Sequence, residues 1–242
     1  MSASLPPVCI LAGGLGTRLG ELTRDTPKPL VEVAGEPFLW HQLRLLAANG
    51  ASDVVLCVGY LGEQIEAAVG SARFGLRIAY SHDGPELIGT LGAIRRARTL
   101  LGERFLVLYG DTYLRLNYAA AADVWQRSAL PALMTVLHNE GRWDASNAVY
   151  GHGRVLAYDK RAPGPDMHWI DYGLVGLARS ALSLAPAGAN DLSDLLAALA
   201  RAGLLCGYAA TERFYEIGTP RGIAETDAHL RAEIASSGGI VR

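Results

Sequence analysis

Apolar positions along the chain fall into two kinds of run. Short continuous blocks, Val8–Ala12, Val54–Val58, Arg77–Tyr80 and Phe105–Leu108, read as strands buried on both faces. Between them Phe38–Asn49, Leu61–Val69 and Thr90–Leu101 carry apolar residues at helical spacing, and Gly50 stands where the first of these must stop. Strand and helix thus alternate through residues 1–125, which predicts an α/β fold with a doubly wound, mostly parallel sheet. The second half is more mixed. Ala132–Leu137, Ala148–Val149, Val155–Tyr158 and Ile170–Leu177 read as strands at hairpin-like spacing, followed by a helix over Asp191–Ala202. Short strands at Leu204–Tyr208 and Phe214–Ile217 precede a closing helix, Pro220–Ser236, with Pro in its first turn. No repeat or linker interrupts the pattern, so residues 1–242 read as a single domain whose second half, 126–242, adds a small antiparallel lid.

Composition narrows the classes of function. The chain has 242 residues, is 50% hydrophobic and 19% charged, and has a formal net charge of −2. Disorder is excluded, and the near-neutral balance gives no footprint for a nucleic-acid partner. Nothing approaches 18 consecutive apolar residues, and Met1–Gly14 lacks the basic start of a signal peptide, so the expectation is a cytoplasmic protein without a membrane partner. Three scattered cysteines, Cys9, Cys57 and Cys206, form neither a disulfide framework nor a zinc site. A homo-oligomer stays open. Among 22 basic residues only Lys28 and Lys160 are Lys. Where Arg is used nearly everywhere, a retained Lys marks a place for a compact point charge, unless both are chance survivors of compositional bias.

Candidate chemistry concentrates after the first strand. Residues 13–29, GGLGTRLGELTRDTPKP, read as a long loop. A Gly-rich loop there brings backbone N–H groups to the carboxyl edge of the sheet, where phosphates bind in open α/β folds, with Arg18 and Lys28 adding positive charge. Two familiar loops fail: the chain has no Gly-Lys dipeptide for a Walker motif, and position 19, where the dinucleotide fingerprint needs Gly, is Leu. An NAD-dependent oxidoreductase is therefore set aside.

The run L-A-G-G-L-G-T-R-L at 11–19, followed by P-K-P-L at 27–30, resembles the sugar-1-phosphate nucleotidyltransferase family. The likeness extends to Gly110-Asp111, Tyr158-Asp159-Lys160, Asp171-Tyr172-Gly173, and Glu216 in E-I-G-T-P, where the family commonly has Asn for Asp171 and Asp for Glu216. It implies a Rossmann-like nucleotidyltransferase fold and the reaction of an NTP with a sugar 1-phosphate to give an NDP-sugar and pyrophosphate. Leu11, Ala12, Gly13, Gly14, Gly16, Thr17, Arg18, Gly89 and Thr90 would bind the nucleotide. Arg18, Lys28 and Asp111 would be catalytic, Asp111 and Glu216 would hold Mg²⁺, and Lys160, Asp171 and Gly173 would meet the sugar phosphate. Plainer readings accompany several of these. Asp171 suits a structural hydrogen bond as well as a sugar hydroxyl, Thr90 suits a helix cap, and Lys160 a strand-end charge.

The compact form, with PFLWHQL and IDYG, looks most like the short heptose-1-phosphate guanylyltransferase type; N-acetylmuramate-1-phosphate uridylyltransferases and mannose-1-phosphate guanylyltransferases are near rivals. A catalytically silent, ligand-sensing subunit on the same fold is the alternative of another class. For the base, Glu86, the acidic side chain of the PELIGT segment, reads either as a solvated loop charge or as a carboxylate that favours guanine by accepting from N1 and N2 together.

Overall fold

A computed structural model describes residues 5–84 and 86–236; the Met1–Ser4 stretch read for a leader lies outside them. Ten strands form one continuous sheet. Its order from one edge is Ala148–Gly151, Arg154–Tyr158, Leu205–Ala210, Ala132–His138, Trp169–Ala178, Arg104–Tyr109, Val8–Leu11, Asp53–Val58, Leu76–His82 and Ala72–Arg73. The first-half strands Arg104–Tyr109, Val8–Leu11, Asp53–Val58 and Leu76–His82 are mutually parallel. Trp169–Ala178 then joins antiparallel to Arg104–Tyr109, and Ala132–His138, Leu205–Ala210, Arg154–Tyr158 and Ala148–Gly151 build outward from it. The antiparallel strands expected as a separate lid therefore extend the main sheet, because the apolar face of Trp169–Ala178 is buried against the same core as its neighbours.

Both faces of the central strands are covered, which explains their uninterrupted apolar runs. Val8 and Ile10 face one core, packed on Leu39, Leu43 and Leu46 of the helix Phe38–Ala48, Ile65 of Gly62–Val69 and Trp125 of Tyr118–Ser128. Cys9 and Val107 face the other, packed on Leu91 and Ile94 of Gly89–Ala97 and on Leu195 and Leu199 of Leu192–Arg201. Each such fully buried side chain contributes roughly 1.5–3 kcal/mol by leaving water, which gives the sheet edge a rigid base. Asp191 caps the Leu192–Arg201 helix by accepting from the Ser193 N–H at 2.8 Å.

Two local differences from the sequence reading have clear causes. The long loop after the first strand contains 3₁₀ turns over Thr17–Thr23 and Lys28–Leu30, closed by the Leu30 N–H on the Pro27 carbonyl. The helix Tyr118–Ser128 has no counterpart in the sequence reading; its Ala-rich start shows little apolar periodicity, and Asn117 caps it through the Ala120 N–H.

Candidate active site

Four parallel strands end at one edge of the sheet, and the residues that follow them build the site. After Val8–Leu11 come Ala12, Gly13 and Gly14; after Asp53–Val58, Gly59; after Leu76–His82, Asp83; after Arg104–Tyr109, Gly110 and Asp111. The backbones meet so closely that side chains are excluded. A Cβ on Gly110 would lie 2.7 Å from the Leu11 carbonyl oxygen, and one on Gly13 would lie 2.9 Å from Asp83 Oδ2.

Two cavities open at this edge. The first, of about 250 Å³, is lined by Leu11, Ala12, Gly13, Gly14, Lys28, Cys57, Asp83, Leu87, Gly89, Thr90, Ala93 and Asp111, among others. The second, of about 510 Å³, holds Arg18, Asp111, Asn147, Lys160, Asp171, Gly173 and Glu216, together with the rim residues Arg142, Trp143, Arg213 and Arg221. Asp111 lines both, and its Oδ2 accepts a hydrogen bond from Lys28 Nζ at 2.5 Å. An ammonium–carboxylate pair thus stands at the junction.

The junction is positioned from below. Gln42, buried in the helix Phe38–Ala48, donates from Nε2 to the carbonyls of Tyr109 and Thr112 at 2.8 and 2.9 Å and so clamps the turn that carries Asp111. Phe214–Glu216 pairs with Thr112–Leu114, placing Glu216 opposite Thr112, and the Ile217 N–H donates to the Asp111 carbonyl at 2.9 Å. Asp111 and Glu216 are brought together by this pairing. Glu216 also accepts from the Gly218 N–H and, at 3.1 Å, from the Thr219 hydroxyl, at the start of the Pro220–Ser236 helix.

Most site residues singled out in the sequence line one of the two cavities. Gly16 and Thr17 line neither: Gly16 accepts from the Thr23 hydroxyl at 3.0 Å, and Thr17 opens the first 3₁₀ turn, exposed. Arg18 belongs to the second cavity, and its guanidinium lies against Gly218. Thr90 lines the first cavity but spends its hydroxyl on the Leu192 N–H at 2.7 Å, so it caps a neighbouring helix rather than its own. Asp171 accepts from the Gly173 N–H at 3.0 Å and from the Tyr158 hydroxyl at 3.2 Å, the structural bond allowed for it. Burial pushes its carboxyl above the usual carboxylate range, against the opposing pull of Lys160. Lys160 is exposed, with Nζ 5.4 Å from the centre of the Tyr109 ring.

Glu86 is exposed and lines neither cavity. Besides Asp111, the acid in the first cavity is Asp83, because Leu76–His82 runs two residues past the expected Tyr80 and delivers Asp83 to the sheet edge. Asp83 is 6% exposed, and its Oδ1 has no hydrogen-bond partner among the described residues. Burial raises its pKa, opposed by Arg96 and His82. A buried acceptor without a donor costs about 1–3 kcal/mol, and a ligand N–H relieves that cost. Asp83 and Gln42 were missed by the sequence reading. Gln42 had a signal, a polar residue inside the apolar stripe of its helix; Asp83 had none until the strand end was placed.

For a metal, the donor set is all oxygen. Among the described residues no group of three or more His, Cys, Asp or Glu is arranged to hold an ion. Asp111 and Glu216 facing one cavity fit a hard divalent cation only when phosphate oxygens or water complete its shell.

The model of the family described as "Nucleotidyl transferase" matches residues 8–151, more than half of the chain. The chain belongs to this nucleotidyl transferase family. Among curated relatives, it is 44% identical over 125 residues to N-acetylmuramate alpha-1-phosphate uridylyltransferase of Neisseria meningitidis serogroup B, a match covering 50% of this chain and 53% of that protein. It is 45% identical over 107 residues to the mannose-1-phosphate guanylyltransferase catalytic subunit beta of Drosophila melanogaster, covering 42% of this chain and 29% of that one. The matches thus span about half or less of these relatives' length. Two solved structures share the fold: HddC from Yersinia pseudotuberculosis complexed with GMP-PN, with TM-score 0.76, 24% identity and coverage of 93% and 100%, and the inositol-1-phosphate CTP transferase from T. maritima, with TM-score 0.78, 17% identity and full coverage of both chains. The mixed α/β sheet and the nucleotidyltransferase resemblance drawn from the Gly-rich loop are thereby borne out, and no described helix is long and apolar enough to cross a membrane.

Proposed function

We propose that this member of the nucleotidyl transferase family transfers a nucleotidyl group from an NTP to a sugar 1-phosphate, releasing pyrophosphate. The observation that carries the reading is the Lys28–Asp111 pair at the junction of two unlike cavities. The smaller, apolar cavity with its backbone-rich wall takes the nucleoside, and the larger, charged one takes the sugar phosphate. The acceptor phosphate carries its own nucleophilic oxygen, so no general base is needed, and catalysis consists of alignment and charge neutralisation. Lys28 neutralises the α-phosphoryl group, while Arg18 and Lys160, both lining the second cavity, hold the charge of the acceptor phosphate. Asp111 and Glu216 would hold Mg²⁺, which would draw off phosphate charge when bound.

GTP is the proposed donor and D-glycero-D-manno-heptose 1-phosphate the proposed acceptor. Asp83 supports the base: an ionised carboxylate accepts from guanine N1–H and N2–H together and ends its own isolation. The 44% identity to the Neisseria uridylyltransferase supports a second reading, UTP with N-acetylmuramate 1-phosphate. Pyrophosphate release for four NTPs against heptose, mannose and N-acetylmuramate 1-phosphates tests both. The highest kcat/KM is expected with GTP and the heptose phosphate; a preference for UTP with N-acetylmuramate 1-phosphate selects the second reading, and no release with any pair removes both.

A further inference from the structure

The second cavity has one wall that the proposed chemistry does not use. Trp143 lines it and is 41% exposed, high for the largest apolar side chain. Its loop is built rather than loose. Asn139, fully buried at the end of Ala132–His138, donates from Nδ2 to the Asp144 carbonyl at 2.5 Å and to Ser146 Oγ at 3.0 Å, and its Oδ1 accepts from the Trp143 N–H at 3.2 Å. Glu140 and Gly141 take left-handed backbone conformations, making the tight turn that presents Trp143. The Arg213 guanidinium carbon stands 3.9 Å from the Trp143 ring centre and 4.4 Å from that of Tyr215, and Arg213 Nη2 donates to Glu225 at 2.8 Å. One face of the indole is thus occupied by a cation that is itself held from behind.

We propose that Trp143, held in plane by Arg213 and by the Asn139-tied loop, is the wall against which the sugar ring of the acceptor stacks. This rests on the reading of the second cavity as the sugar 1-phosphate site. A pyranose presents C–H faces and hydroxyl edges. The cavity offers the matching arrangement, the exposed plane of Trp143 with Asn147, Lys160 and Asp171 as polar walls. A Trp with two rotatable side-chain bonds, already fixed by its neighbours, loses little entropy when a ligand arrives. Arg213 is a positioning residue here: it orients the ring and need not touch the sugar.

The test combines fluorescence with kinetics. Tryptophan emission of the full chain is titrated with inorganic phosphate, with each NTP, and with heptose, mannose and N-acetylmuramate 1-phosphates. A change is expected with a sugar 1-phosphate and not with phosphate or NTP, and it should vanish in Trp143→Phe. In turnover, Trp143→Leu should raise KM for the sugar 1-phosphate roughly tenfold while changing kcat and the NTP KM less than about twofold. Trp143→Tyr should recover most of that loss, and Arg213→Met should fall between. An emission change that persists in Trp143→Phe, a change elicited by NTP, or an unaltered acceptor KM in Trp143→Leu overturns the proposal. Because the titration needs no turnover, it decides the question even where the choice of base fails.

Discussion

The two cavities meet at one ion pair yet are made of different material. The smaller cavity, proposed for the donor, is built by secondary structure: strand ends, close-packed glycines and the start of a helix, with two carboxylates, Asp83 and Asp111, among apolar walls. The larger cavity, proposed for the acceptor, is built mostly by side chains from the second half of the chain, with five cationic and five acidic residues around about twice the volume. Backbone walls are rigid because the sheet beneath them is rigid, and on the proposed reading they would meet what every NTP shares. Side-chain walls are easily exchanged without disturbing the core, so acceptor choice is the property most readily altered on this frame.

The largest effect that would break this comparison lies at the junction. Asp111→Asn removes the charge shared by both cavities and should lower kcat about 10³-fold or more without unfolding the protein, seen as unchanged circular dichroism with lost pyrophosphate release. Near-normal turnover in that variant would show that the cavities do not cooperate at Asp111. Gln42→Leu, which frees the turn bearing Asp111, should cost roughly 10²-fold in kcat with both KM values little changed.

On the donor side, Asp83 sets a pH dependence whose sign follows from its environment. Burial raises its pKa, so acidification protonates it early and removes an acceptor for guanine. The kcat/KM for GTP should fall as pH drops through that raised value, and Asp83→Asn should flatten this limb while narrowing the preference for GTP over the other NTPs about tenfold. Stability runs the other way. A carboxyl whose pKa is raised on folding favours the folded state below its unfolded pKa, and that contribution is lost as pH rises through the folded value. At neutral pH Asp83→Asn should therefore raise Tm, by about 2–4 °C per kcal/mol relieved, measurable by calorimetry. A lower Tm in that variant would mean that the carboxylate has a partner that offsets its burial.

These contrasts also explain what was legible in the sequence. Strands and helices of the first half could be read because they are buried on both faces or along one stripe, and their periodicity is undiluted. The Gly-rich loop and Asp111 could be read because they follow strands directly, and Lys28 because it stands between Pro27 and Pro29 in a chain that otherwise uses Arg nearly everywhere. The second half was harder. Trp169–Ala178 looks like a hairpin strand, yet it pairs with Arg104–Tyr109 about seventy residues away, a choice made by packing rather than by local pattern. Glu86 was singled out and Asp83 passed over because the strand was read two residues short, and a carboxylate's burial depends on where a strand stops. Trp143 carries no periodic signal at all; only the folded loop shows that Asn139 holds it in place.

Confinement of each substitution to its own substrate is the most direct test of the central claim. Steady-state kinetics would be measured for Asp83→Asn, Lys160→Ala and the double variant, varying NTP and sugar 1-phosphate separately. The account predicts that Asp83→Asn changes the KM for GTP alone, that Lys160→Ala raises the KM for the sugar 1-phosphate about tenfold and leaves that for GTP unchanged, and that the two effects on kcat/KM add within about 0.5 kcal/mol in the double variant. A Lys160→Ala variant that weakens GTP as much as the sugar phosphate would contradict it, because the two cavities would then be one.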